Sequence, residues 1–594
     1  MTASTSDRSV PTRHLSRDRR MEHADDRPTN PSAAPTFQTV LARRGFLKGA
    51  LGAGTALVAA ATLPGSFGRA RAAGGGGFTF REIEAGIDAT HHVADGYDAD
   101  ILIRWGDPVE AGAPAFDPRN QTAAAQAKQF GYNNDYIGVV PLSDDRALLC
   151  INHEYTNEEL MFPGLGDQED VDFADMTAEL VAIEKAAHGG SVVEIRRGNA
   201  GKWFVVPGGA YNRRITADTP MRVSGPAAGH QRLRTKVDPS GTRVLGTINN
   251  CAGGVTPWGT YLMAEENFHG YFQGEVGLEG HPQRAALERY GVPGGWYAWG
   301  RFDERFDLSK EPNEPHRFGW VVEVDPKDPT SVPVKRTALG RFKHEGAESL
   351  VNRDGRLVIY MGDDQRFDYV YRFVSEDRVD RDNPAANRDL LDRGTLSVAR
   401  FDADGTVTWL PLVHGTGPLT AANGFASQAD VLIDTRLAAD ALGATPMDRP
   451  EDVQPNAATG RVYVMLTNNS RRTAHQVNAA NPRAENGHGH IVEIAAPYRD
   501  HAADVMTWDM LVLCGDPAGD VGAKWGPETS ASGWFTDPDN AAVDSQGRLW
   551  VSTDGNRPGS HSNRCDGLWA METEGPARGS GRHFFRCPVG AEMC

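Results

Sequence analysis

Cysteine is scarce in this chain, six in 594 residues, too few for a disulfide-built scaffold. Long apolar runs are missing as well. The nearest approach, Gly49 to Leu63, is about fifteen residues of mostly small side chains, short of the roughly 20 needed to cross a bilayer. Basic charge is in deficit, with 61 Lys and Arg against 79 Asp and Glu, a net −18. That speaks against duplex DNA and anionic membrane surfaces as partners. Helical periodicity is sparse; only Met176 to Ala187 and the short stretch Arg436 to Leu442 carry it. Three nucleophile or phosphate signatures are also absent: a Gly-x-Ser-x-Gly elbow between strand and helix, a Gly-x-x-x-x-Gly-Lys-Ser/Thr loop, and His-Glu-x-x-His. What remains is rich in Gly (66) and Pro (36) and reads as short strands bounded by turn residues, an all-β pattern with long loops and few short helices.

Residues 1–72 read as a targeting leader. Arg43-Arg44-Gly45-Phe46-Leu47-Lys48 is a twin-arginine pattern, the apolar run follows it, and Ala70-Arg71-Ala72 supplies the small residues of a cleavage site. The composition of residues 1–42 predicts disorder, and Met21 offers a second start. The leader holds eleven basic and five acidic residues, so residues 73–594 carry 50 basic against 74 acidic, a net −24. The expectation is a single β domain over 73–594, folded before export by the twin-arginine machinery and working in the periplasm or outside the cell. So acidic a chain suits calcium, which needs several carboxylates per site.

Loose internal repeats run through the domain. Gly190–Ile195, Gly319–Val324 and Gly489–Ile494 share a Gly, an alternating strand and a Glu before the last apolar residue. A second unit is a turn, an apolar strand and then acids or amides. It ends in Asn152-His153-Glu154, Glu265-Glu266-Asn267, Asp363-Asp364, Asn468-Asn469 and Asp554, at intervals of roughly 85 to 110 residues. Such a repeat predicts a β-propeller whose inner strands end near one mouth of a central channel. Taken singly, each cluster is an ordinary strand-ending turn. Brought together, the carboxylates would repel unless cations lay between them, and oxygen donors suit calcium or another hard cation.

The most specific stretch is Asn249-Asn250-Cys251-Ala252-Gly253-Gly254-Val255-Thr256-Pro257-Trp258-Gly259, followed by Glu265-Glu266-Asn267-Phe268. With Asn152-His153-Glu154-Tyr155, Lys343-His344-Glu345-Gly346-Ala347, Asn481-Pro482-Arg483-Ala484-Glu485-Asn486, Pro538-Asp539-Asn540 and Gly590-Ala591-Glu592, the chain resembles the PhoX-type alkaline phosphatases. The likeness runs from about residue 80 to 592. It implies a six-bladed propeller, a pair of irons, several calcium ions and hydrolysis of phosphate monoesters by a monomeric secreted enzyme. It implies Cys251, Glu345 and Glu485 as iron ligands and Glu154 and Glu266 as calcium ligands or bridges. Asp539 and Glu592 become further metal ligands, and Arg483 the catalytic residue whose fork of donors takes a phosphate oxygen. His344, His488 and His490 then support the site from behind. Two alternatives stand beside this reading. One is another calcium-dependent propeller hydrolase (a phosphodiesterase, phytase or lactonase); the other is a propeller that binds calcium and turns over nothing. The chain stops soon after Gly590-Ala591-Glu592, so either the last blade is incomplete or an N-terminal strand completes it. Cys565 and Cys587 either pair or stay free.

Overall fold

The structure is a computed structural model that describes residues 29–30, 78–556, 559–591 and 593. The twin-arginine pattern, the cleavage site and Glu592 lie outside the described residues. Thr29 and Asn30 do not follow the expectation of disorder: Asn30 is buried against the domain.

The chain is mostly β, as its composition predicts. Each unit starts with a hairpin. The first strands are Asn134–Ser143, Asn250–Val255, Glu348–Val351, Pro450–Asn456 and Pro538–Val543. Each pairs antiparallel with the next strand in sequence: Arg146–His153, Tyr261–Glu265, Arg356–Gly362, Arg461–Leu466 and Leu549–Thr553. The first strands are spatial neighbours in sequence order. The ring closes where Asn540 Nδ2 on the last donates to Asp135 Oδ1 on the first, at 3.3 Å. Glycine makes this approach close enough. A Cβ on Gly254 would lie 2.2 Å from the Ala347 carbonyl oxygen, and one on Gly362 2.0 Å from that of Glu451.

The sheets do not divide into six blades. Among the described residues they number four, of five, six, nine and five strands. The nine-stranded sheet fuses the third and fourth units, because the outer strand Thr406–Pro411 pairs with Val505–Leu513. The second unit is also irregular: its strand Val334–Arg336 pairs parallel with Pro220–Ser224.

The last sheet is completed from the N-terminus. His92–Val93 pairs with the outer strand Ser580–Arg586 and covers its edge. Phe78 and Phe80 pack on Trp550 and Phe584, with Phe80 and Phe584 ring centres 5.0 Å apart. Asp88 meets Arg586 in an ion pair. Both helices expected from periodicity form. Ala178–Ala187 is capped by the Thr177 side chain, which accepts from Leu180 N, and Thr435–Leu442 ends at left-handed Gly443. Cys565 and Cys587 carry free, buried thiols. No helix among the described residues is long and apolar enough to cross a membrane.

If the N-terminal segment holds the last sheet together, Phe80→Ala should cost about 3 kcal/mol, the usual loss for a buried aromatic. Thermal unfolding followed by circular dichroism measures this; an unchanged midpoint would show that the segment is only draped on the sheet.

Candidate metal centre

In four of the five units the second residue of the first strand is a potential metal ligand: Asp135, Cys251, Glu451 and Asp539. The third unit supplies Glu345 just ahead of its strand. A second tier comes from residues just after the second strands: Glu154, Glu266, Asp364, Asn468 and Asp554. The two tiers meet because an antiparallel hairpin puts the start of one strand beside the end of the next, as in Asn134↔His153, Asn250↔Glu265 and Pro538↔Thr553.

Seven of these side chains converge. Asp135, Glu154 and Cys251 form one group with ligand atoms within 4.8 Å of one another. Cys251, Glu266 and Glu345 form a second, and Glu345, Glu451 and Asp539 a third. Cys251 and Glu345 are shared, so the groups make one continuous patch, and every member is buried. The Cys251 sulfur lies 2.9 Å from Asp135 Oδ2 and 3.1 Å from each Glu345 oxygen. One thiol proton cannot satisfy three carboxylate oxygens. Burial, then neighbouring acids, push Glu345 and Glu451 well above the usual carboxylate range and Cys251 well above the usual thiol range. Burial and Asp554 do the same to Asp539. Donor set, burial and crowding all fit multivalent cations: carboxylates for hard ions and a sulfur for a softer transition metal.

Asp364 is the exception. Burial pushes it up, but the Arg449 guanidinium and the Lys343 charge outweigh that and hold it below the usual range. Arg449 donates from Nε and Nη2 to the two Asp364 oxygens at 2.9 and 2.7 Å, and Nη2 lies 3.3 Å from Glu451 Oε1. Its backbone is left-handed, φ 50°, an uncommon conformation for a bulky residue and one that gathers at functional sites.

The structure thus brings together Cys251, Glu345, Glu154, Glu266 and Asp539 of the predicted set. Cys251 is carried by the strand Asn250–Val255. Glu485 is exposed, with φ 46°, and stands outside the three groups. The Arg483 fork is taken up by carbonyl oxygens, Nη1 donating to Cys514 O at 2.8 Å and Nη2 to Gly489 O. His344 stacks on Phe342 and bonds Gly340 O, and His490 bonds Ala480 O, so both brace loops. Asp363 faces away, paired with Arg436. Sequence reasoning missed Asp135 and Glu451. Each is the second residue of a first strand, a position whose meaning depends on knowing where the strands begin.

Residues 78–594 match the family model described as alkaline phosphatase PhoX. A solved structure of Pseudomonas fluorescens PhoX, in complex with vanadate as a transition state analogue, is 43% identical. Its TM-score is 0.80, over 86% of this chain and 90% of that one. A protein of unknown function from Dyadobacter fermentans is 10% identical over 74% of this chain and 80% of that one, with a TM-score of 0.31, too loose a likeness to carry an argument. No curated protein matches.

The crowding predicts an inverted pH response in metal-free protein. Burial raises Asp135 to about 6 and Asp452, beside it, to about 7, against about 4 in an unfolded chain. Between those values the folded chain holds more protons than the unfolded one, so stability falls as pH rises. Thermal midpoints of chelator-treated protein should drop between about pH 4 and 7, while metal-loaded protein drops less. A metal-free midpoint that rises over this range contradicts the charge account.

Proposed function

Because the chain belongs to the PhoX alkaline phosphatase family and hydrolyses phosphate esters, we propose that the ring of buried acids is its active centre, holding two irons and several calcium ions. The observation that carries this is the continuous patch of three ligand groups joined through Cys251 and Glu345. Cys251 marks the iron position, since a thiolate is soft and calcium takes oxygen. Glu345, Glu451 and Asp539 complete that side of the patch. Asp135, Glu154 and Glu266 hold calcium or bridge between the two kinds of ion. Glu451 takes the role that the sequence pattern gave to Glu485. When bound, the metals neutralise phosphoryl oxygens and polarise the ester phosphorus.

The protein's own part is positioning. Arg449, oriented by Asp364 and drawn toward Glu451, presents a planar guanidinium at the edge of the metal ligands. Its fixed positive charge suits recognition of a phosphate oxygen, and we assign it the contact expected of Arg483. Lys343 adds a second buried cation beside Asp364. Closely packed first strands keep solvent from the ligands, which strengthens every charge interaction among them.

Around this centre we read the five hairpin units as parts of a propeller-like ring. The substrates are phosphate monoesters, and the protein acts as a monomer. The Arg43-Arg44 leader supports export by the twin-arginine route to the periplasm or beyond, after metals have been loaded.

Hydrolysis of p-nitrophenyl phosphate at alkaline pH, lost on chelation and restored by iron with calcium, tests the reading. Fully loaded protein without monoesterase activity would sink it. Arg449→Lys should keep its metals and lose about 100-fold in kcat, as when one preorganised donor is removed. Arg483→Lys should stay within a few-fold of the parent. Metal analysis beside steady-state kinetics separates the two; the reverse pattern returns the role to Arg483.

A further inference from the structure

Thr29 and Asn30 lie well ahead of the Arg43-Arg44 pair, yet they sit in a slot on the folded domain. Asn30 is 3% exposed. Its side-chain Nδ2 donates to Phe367 O at 2.5 Å and to Tyr369 Oη at 2.9 Å. Thr29 Oγ1 accepts from Arg289 Nη1 at 3.2 Å and from Arg436 Nη1 at 3.5 Å. The walls of the slot are held to one another by ion pairs. Arg289 is paired with Asp368 and Asp440, Arg436 with Asp363 and Asp368, and Tyr369 Oη donates to Asp440 Oδ1 at 2.7 Å. All four of these aspartate and arginine partners at Asp363, Asp368, Arg289 and Arg436 are buried. A preformed polar slot loses little on binding, because its side chains are already ordered.

We propose that this slot is a docking site for the chain's own N-terminal segment, which it recognises through the Asn30 amide and the Thr29 hydroxyl. The chemistry selects Asn. Two acceptors, a carbonyl and a phenol oxygen that has given its proton to Asp440, converge on one NH2 group. An aspartate at position 30 would face both with a negative charge and lie near Asp440. Docking is intramolecular, so even a contact that is weak between separate molecules is populated. The slot also shares a loop with the metal centre: residues 363–369 carry Asp364 at one end and Tyr369 at the other, with Phe367 left-handed between them at φ 70°. The segment therefore pins the loop that holds Arg449 through Asp364. On the export reading above, cleavage after Ala72 would free the segment from the domain and open the slot in the mature enzyme. The docking itself depends on neither that step nor the catalytic assignment.

Hydrogen exchange followed by mass spectrometry on the full chain tests this. Asn30→Asp should speed exchange across residues 365–371 at least about tenfold, the change that goes with loss of about 1.4 kcal/mol of docking energy. Circular dichroism and the thermal midpoint would report that the domain stays folded. A synthetic peptide of residues 24–36, added to a chain beginning at residue 73, should slow exchange of the same segment, and its Asn30→Asp version should not. Equal exchange across 365–371 in the parent and the Asn30→Asp chain would overturn the proposal, as would equal effects of the two peptides.

Discussion

Repulsion among buried acids is the constraint on which this molecule turns. Six carboxylates and a thiol share one patch, away from water. Two unit charges 4 Å apart repel by about 4 kcal/mol at an effective dielectric near 20, and the patch contains several such pairs. Their sum rivals the whole stability of a folded domain, about 5–15 kcal/mol. Protons can relieve it only by holding the acids neutral, as their raised pKa directions record. Cations relieve it while leaving the ligands charged. The five-hairpin ring is thus a frame that stores electrostatic strain until metal enters.

The frame holds because charge behind the ligands is balanced locally. Asp363 is matched by Arg436, Glu265 by Lys335 and Asp364 by Arg449. Asp363 and Glu265 sit next to second-tier residues in sequence but point elsewhere, so at Asp363-Asp364 and Glu265-Glu266 a single strand end carries one acid for the frame and one for the site. Such partners fix the orientation of ligand-bearing backbone, as supporting groups do around metal sites generally. Buried pairs contribute little net stability; here they place the ends of the strands.

The second tier of the site was legible in the sequence because it repeats: a turn, an apolar strand, then an acid or amide, five times. The five clusters also match the number of hairpin units in the ring. The first tier was not legible as a repeat. Asp135, Cys251, Glu345, Glu451 and Asp539 differ in type and local context, and an acid at the second residue of a strand looks like any turn residue. Cys251 and Glu345 were found through motif resemblance alone. The helix at Ala178–Ala187 was legible because periodicity and the Thr177 cap agree. Closure of the last sheet by His92–Val93 was not legible, since a two-residue strand carries no periodic signal.

The choice between Arg483 and Arg449 shows where local pattern stops deciding. Within residues 73–594 Arg-x-Glu occurs twice, as Arg449-Pro450-Glu451 and Arg483-Ala484-Glu485. The second copy stands in a loop of Asn, Gly and His that looks like a ligand-rich site. The first opens with a proline that reads as a strand start or a turn. Backbone context reverses this ranking. Pro450 begins a first strand, so Glu451 falls on the inward tier and Arg449 sits at its threshold, held by Asp364 from the neighbouring hairpin. The Arg483 fork meets the carbonyl oxygens of Cys514 and Gly489, and Glu485 reaches the surface. An arginine and a glutamate two apart have the same composition in both places. What separates them is whether the intervening residue starts a strand that points at four others.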